Sequence, residues 1–84
     1  MEFYKVHAVK PLPDYNLLVD FKNGKRKIFD VKPLFEKLEP FRDLAAIQGL
    51  FEQVRVDMGG YGICWNDEID LGCNSLYLGG RDSL

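Results

Sequence analysis

Histidine occurs once in this 84-residue sequence and cysteine twice, so the usual chemistry-bearing side chains are scarce. A zinc site draws three or four ligands from clustered Cys and His, usually with two Cys a few residues apart. His7, Cys64 and Cys73 do not supply that, because the cysteines stand nine apart with no second histidine. Nucleophilic catalysis needs a nucleophile, a base and an orienting group. No activating motif surrounds either cysteine, so two inert thiols and a surface imidazole are expected. Two cysteines are too few for a disulfide framework, and with no leader-like segment ahead of them they are expected to be reduced, in the cytoplasm. Apolar runs extend over a few residues only, far short of the ~20 that a membrane-spanning helix needs. Excess positive charge is also missing. A net charge of −2 argues against direct binding to nucleic acid through phosphates. No metal, cofactor, membrane association or enzyme activity is therefore expected.

Two further motifs fail for want of context. Asp57, Asp67 and Asp70 lack the alternating-oxygen loop of a calcium site. The three glycines of "GGYG" fall between two strand-like runs, whereas a phosphate cradle needs a helix N-terminus.

What remains is a chain of one domain, residues 1–84, without repeats or linkers. Six Phe, four Tyr and one Trp supply most of a thin core, since each aromatic ring buries ~150–250 Å². The first run, "FYKVHAVKPL", alternates imperfectly, with Val6 and Val9 on opposite faces, so a strand with a bulge, or one covered on both faces, is expected. Pro11, Pro13 and Asp14 then form a turn. Asn23-Gly24 predicts a two-residue type I′ hairpin turn, which sets Val19 opposite Ile28, Asp20 opposite Lys27 and Leu18 opposite Phe29. Tyr15, Leu17, Val19, Phe21 and Ile28 then share the core face.

Asp30 is placed to cap a helix whose stripe is Val31, Leu34, Phe35 and Leu38, ending at Pro40. A second helical stretch, interrupted by Gly49, sets Phe41, Leu44, Ile47, Leu50 and Phe51 as a lid. Gly59-Gly60 predicts another two-residue hairpin, pairing Met58 with Tyr61, Val56 with Ile63 and Val54 with Trp65 on one apolar face. Asn66-Asp67 turns the chain back into a very short edge strand, "EIDL". Leu76 and Tyr77 anchor a terminal helical turn. The fold class is α+β: a small, mainly antiparallel sheet of two β-hairpins plus an N-terminal strand, with short helices covering one face.

The order and spacing of Asp14-Tyr15, Phe21, Gly24, Trp65 and Ile69-Asp70-Leu71, with further matches from Val6 to Tyr77, resemble a prokaryotic family. It is known only as domain of unknown function 2442. The resemblance implies a small cytoplasmic protein. Some members carry a helix-turn-helix DNA-binding domain after this one; others are freestanding and lie beside small partners in toxin–antitoxin-like pairs. The chain stops soon after Tyr77, which points to the freestanding kind. The family offers no catalytic residues to carry over.

Charge is divided along the chain. Residues 1–38 carry eight Lys/Arg against five Asp/Glu, and residues 39–84 three against eight. Two patches follow as candidate partner sites. The first is an acidic edge of Asp57, Asp67, Glu68 and Asp70, suited to a small basic protein. The second is a basic hairpin tip of Lys22, Lys25, Arg26 and Lys27. The leading expectation is a non-enzymatic protein-interaction module, in its specific form the antitoxin-like partner of a small toxin. The alternative is a regulatory or ligand-sensing domain acting with a helix-turn-helix transcription regulator. A homodimer is compatible with either.

Overall fold

The N-terminal strand and both hairpins are present, but they build two sheets rather than one. The computed structural model describes residues 2–83. Along the chain come β1 (Val6–Leu12), β2 (Asn16–Phe21), β3 (Arg26–Asp30), α1 (Leu34–Lys37), α2 (Asp43–Ala46), β4 (Arg55–Val56), β5 (Gly62–Cys64), β6 (Asp70–Gly72), α3 (Cys73–Gly79) and β7 (Arg81–Asp82). One antiparallel sheet has the order β1-β2-β3-β7 and the other β4-β5-β6. The chain is therefore α+β, as its sequence pattern predicts.

The broken alternation of β1 has one of the two expected causes. Val6 pairs with Phe21 and Ala8 with Asp20, which leaves His7 as the extra residue of a bulge. Past the bulge Val9 faces Val19, so Val6 and Val9 both pack on the core while His7 is exposed.

The first hairpin departs from expectation by one residue. Gly24 is the only left-handed residue of its loop (φ +89°). Its N–H donates to the Phe21 carbonyl at 3.0 Å, and the Phe21 N–H donates to the Lys25 carbonyl at 2.8 Å. The loop is thus Lys22-Asn23-Gly24, a three-residue connection closed by a left-handed glycine. A one-residue slip turns a strand over. Val19 faces Lys27, Leu18 faces Ile28 and Leu17 faces Phe29. Phe29, not Ile28, joins the core face, and Asp20 pairs with Arg26 (2.6 Å), not Lys27. The apolar stripe of β2 is as expected, with Leu17, Val19 and Phe21 buried.

The helices are shorter than their apolar spacing suggests. Asp30 accepts the Lys32 N–H at 3.0 Å and Val31 is buried, but α1 starts later than expected, with Pro33 at its N-cap and no side-chain cap bond. However, Leu38 takes extended backbone and is exposed, so the stripe ends at Phe35. Residues 39–53 break into a 3₁₀ turn, the single turn of α2 and another 3₁₀ turn, bent at left-handed Gly49. Phe41, Leu44 and Phe51 are buried from this segment, while Ile47 is exposed.

In the second hairpin the register holds, with Val56 opposite Ile63 and Arg55 opposite Cys64. The turn does not. Asp57 N–H donates to the Gly62 carbonyl, so the loop comprises residues 58–61, and Met58 and Tyr61 are exposed instead of facing the core. The reason is tertiary: left-handed, buried Gly60 rests on β1, where a Cβ would lie 2.6 Å from the Val6 carbonyl oxygen.

β6 is a short outer strand as expected, but it runs over Asp70–Gly72 and leaves Glu68 and Ile69 in the turn; it pairs Leu71 with Ile63 and Asp70 with Cys64. Leu76 of α3 is fully buried, and Tyr77 packs against the core. β7, two polar residues that pair with β3, carries no strand signal in the sequence.

Trp65 is 2 % exposed. Its indole stacks on Phe51 at 6.1 Å, meets Phe41 edge-on at 6.0 Å, and donates to the Phe51 carbonyl at 2.9 Å. Trp65→Ala should therefore cost about 3–5 kcal/mol, the range for truncating a large buried aromatic. Denaturant melts measure this, and a loss under about 1 kcal/mol would contradict the packing. A second comparison concerns two glycines. Around Gly24 there is open space, so Gly24→Ala should lose about 1–2 kcal/mol for the left-handed backbone alone. Gly60→Ala should lose about 1–3 kcal/mol more, because the methyl group also collides with β1. Equal losses in the same melts would mean that the loop is not seated on Val6.

Candidate functional site

The acidic edge is only partly assembled. Asp67 and Glu68 lie in the turn leaving β5, and Asp70 in β6; all three are exposed. The Asn66 carboxamide oxygen shapes that turn by accepting the N–H groups of Glu68 (2.9 Å) and Ile69 (3.0 Å). Asp57 lies at the other end of β5, where its carboxylate accepts the Gly62 N–H at 3.0 Å. It closes the loop there, at the opposite end of β5 from the other three acids. Across the second sheet one row reads Arg55, Cys64, Asp70, with Arg55 and Asp70 exposed and Cys64 half-buried. Arg55 donates to the Trp65 carbonyl at 3.3 Å and places one cation near the three acids.

The basic tip is reduced further. Lys22 and Lys25 are exposed in the hairpin loop. Arg26 is held by Asp20. Lys27 is turned inward by the shifted register. Its side chain is 15 % exposed, with Nζ 3.4 Å from the Asp82 carboxylate and 4.4 Å from the centre of the Tyr77 ring. Tyr77 in turn stacks on Tyr4 at 3.8 Å and takes Phe21 edge-on at 4.9 Å. Lys27 thus serves the contact between α3 and the first sheet.

A third feature was not predicted as a site. Asp14 (φ +63°) and Tyr15 (φ +58°) are consecutive left-handed residues without glycine. Such conformations cost roughly 1–3 kcal/mol each and persist only where surrounding contacts hold them. Here the Tyr15 carbonyl accepts the Val31 N–H at 3.0 Å. The Tyr15 ring meets Phe35 (5.4 Å) and Phe51 (5.2 Å) edge-on. Lys32 Nζ donates to the Asp14 carbonyl at 2.6 Å and reaches the carboxylates of Asp14 (3.1 Å) and Asp30 (3.0 Å). Desolvation raises the Asp30 pKa, but hydrogen bonds from the Lys32 ammonium and backbone N–H outweigh it and leave the carboxyl below its usual value. The hydrogen bond to Asp30 raises the Lys32 pKa; desolvation opposes it, and Asp14 adds to it. Beside Tyr15 opens a groove of about 350 Å³ lined by Leu44, Phe51, Glu52 and the backbone of the α2 exit. Glu52 and Tyr15 are the ionisable side chains among its lining residues.

Cys64 and Cys73 are free thiols, and Cys73 is buried with Sγ 3.6 Å from the Asn74 carboxamide oxygen. Among the described residues no three His, Cys, Asp or Glu side chains gather as metal ligands. None of the described helices is long and apolar enough to cross a membrane.

These features define a small α+β domain of two antiparallel sheets joined by irregular helical segments. Residues 6–82 match the family described as protein of unknown function (DUF2442), and the chain belongs to that family. No curated protein and no solved structure matches it.

The Lys32 clamp makes a pH-dependent prediction. Asp30 has a lowered pKa, so its contribution is present above the ordinary 3.8 and is lost as pH falls through the folded-state value. Lys32 has a raised pKa, so its contribution is present below the ordinary 10.5 and is lost as pH rises through the folded-state value. Lys32→Gln should lower the melting temperature by a constant amount from about pH 5 to 9. The gap should narrow outside both limits. A gap that stays constant into the acid range would remove ion pairing from the clamp.

Proposed function

We propose that this chain is a non-enzymatic protein-interaction module whose partner is a small basic protein. The observation that supports this reading is the acidic end of the second sheet. Asp67, Glu68 and Asp70 are exposed, and none takes part in an ion pair among the described residues. They flank β6, the outer strand of its sheet, and an outer strand can accept another strand through its backbone. Carboxylates there speed the encounter with a basic partner, an effect that weakens with salt. The freestanding, two-gene arrangement implied by the resemblance gives this reading its specific form, an antitoxin-like protein that covers a basic toxin in the cytoplasm. The two free thiols fit a reducing compartment.

Asp67→Lys plus Glu68→Lys should weaken binding to the product of the adjacent gene by about tenfold, or 1.4 kcal/mol, with an unchanged melting curve. Glu36→Lys plus Glu39→Lys changes the net charge equally at exposed positions elsewhere and should have little effect. Calorimetric titration of both variants at low and high salt distinguishes a local surface from a net-charge effect. Equal losses in the two variants would remove the acidic end from the interaction. An adjacent gene encoding a helix-turn-helix protein, bound without dependence on these acids, would favour the regulatory alternative.

A further inference from the structure

At the opposite end of β5 the fold assembles a surface that no part of the above reading uses. Six large apolar side chains are exposed among the described residues; two of them, Phe3 and Tyr61, meet here, and a third, Met58, stands on the same loop as Tyr61. Left-handed Gly59 and Gly60 bend the loop back onto Val6 and leave Met58 97 % exposed. The Phe3 and Tyr61 rings lie perpendicular at 5.3 Å. Lys5 Nζ stands 4.8 Å from the centre of the Tyr61 ring. The Lys22 N–H donates to the Lys5 carbonyl at 2.8 Å, which ties Lys22 of the first hairpin loop to the same patch, with exposed Lys25 just beyond that loop. Two acids adjoin the patch in sequence: Glu2 is exposed, with its backbone carbonyl held by Asn74, and half-buried Asp57 has its carboxylate engaged by the Gly62 N–H.

We propose that this patch binds an acidic segment of another protein, one that carries apolar side chains among its carboxylates. A cluster of exposed apolar groups rimmed by charge marks an interaction surface. Aromatic side chains and methionine suit such a surface, because methionine adapts to different partners. The cations select an acidic occupant. Nucleic acid fits less well. One face of Tyr61 is taken by Lys5, so a base finds less ring to stack on. The cations of the patch are all lysines, which lack the guanidinium fork for phosphate. A second copy of the chain would have to present an acidic stretch from elsewhere on its surface, a head-to-tail contact that builds rings or filaments rather than a simple two-fold dimer.

The test uses the intact chain and a short amidated peptide alternating Glu with Phe and Leu, followed by amide shifts in ¹⁵N-resolved spectra. The expected result is saturable shifts confined to Phe3, Lys5, Lys22, Lys25 and residues 58–61. The same peptide with Ser at each Phe and Leu should bind about tenfold more weakly. Lys5→Glu plus Lys22→Glu should also weaken binding about tenfold. Met58→Ser, at a position with no packing to lose, should weaken it several-fold while the melting curve stays put. The Asp67→Lys plus Glu68→Lys variant should bind this peptide as the parent does, so failure here and failure of the acidic end are separable. Absence of shifts in the patch overturns the proposal. So does tighter binding of single-stranded oligothymidine, which would make the patch a nucleic-acid surface. So does self-association that the Lys5→Glu plus Lys22→Glu variant abolishes, which would make the occupant a second copy.

Discussion

The contact between Trp65 and Phe51 is the point on which the two sheets depend. Trp65 leaves β5, and Phe51 belongs to the irregular segment before β4. The Phe51 ring carries the packing on to Tyr15, at the turn between β1 and β2. An aromatic series from Phe35 through Tyr15 and Phe51 to Trp65 and Phe41 thus spans both sheets and the short helices. A chain of this length buries little surface per residue, and flat rings cover the most area for each position spent. The indole N–H is satisfied by the Phe51 carbonyl, so burying the ring strands no donor.

That packing also explains the strain in the Asp14-Tyr15 turn. A left-handed backbone at Tyr15 accompanies the placing of its ring between Phe35 and Phe51 while β2 continues with Leu17 inward. The Lys32 ammonium holds the other side of the turn through the Asp14 carbonyl. The same two residues head the pattern by which the chain resembles its family, so a conformational role accounts for them without invoking chemistry. Throughout the described residues no buried side-chain nitrogen or oxygen lacks a hydrogen-bond partner. No orphaned polar group therefore points to a ligand, and the surfaces at the two ends of β5 carry the functional argument.

The division of charge along the chain is partly undone by the fold, since Asp82 pairs with Lys27 and Arg55 shares a row with Asp70. Of four acids proposed at one edge, three come together and Asp57 becomes a loop closure. Of four cations proposed at the hairpin tip, two remain free, one pairs with Asp20, and Lys27 packs under Tyr77. Each loss has the same origin: a charged side chain beside a turn is the nearest partner for a backbone donor, an opposite charge or a ring.

Local pattern by itself determined strands β1 to β6, the irregularity of β1, the apolar stripe of β2, the register of the second hairpin and the burial of Trp65. In each, alternation and turn residues act between neighbours. Tertiary structure alone decided the rest. Either register of the first hairpin puts an apolar residue inward, Ile28 or Phe29, and the observed one matches Lys27 to Tyr77 from a distant helix. Met58 and Tyr61 satisfy a two-residue turn on paper, yet Gly60 has to sit against the Val6 backbone, and the longer loop turns them outward. β7 has no strand-forming residues; α3 delivers it to the open side of β3. Long-range contacts of this kind have no local signature, because the partners are chosen by where the core places them and not by what stands beside them in the chain.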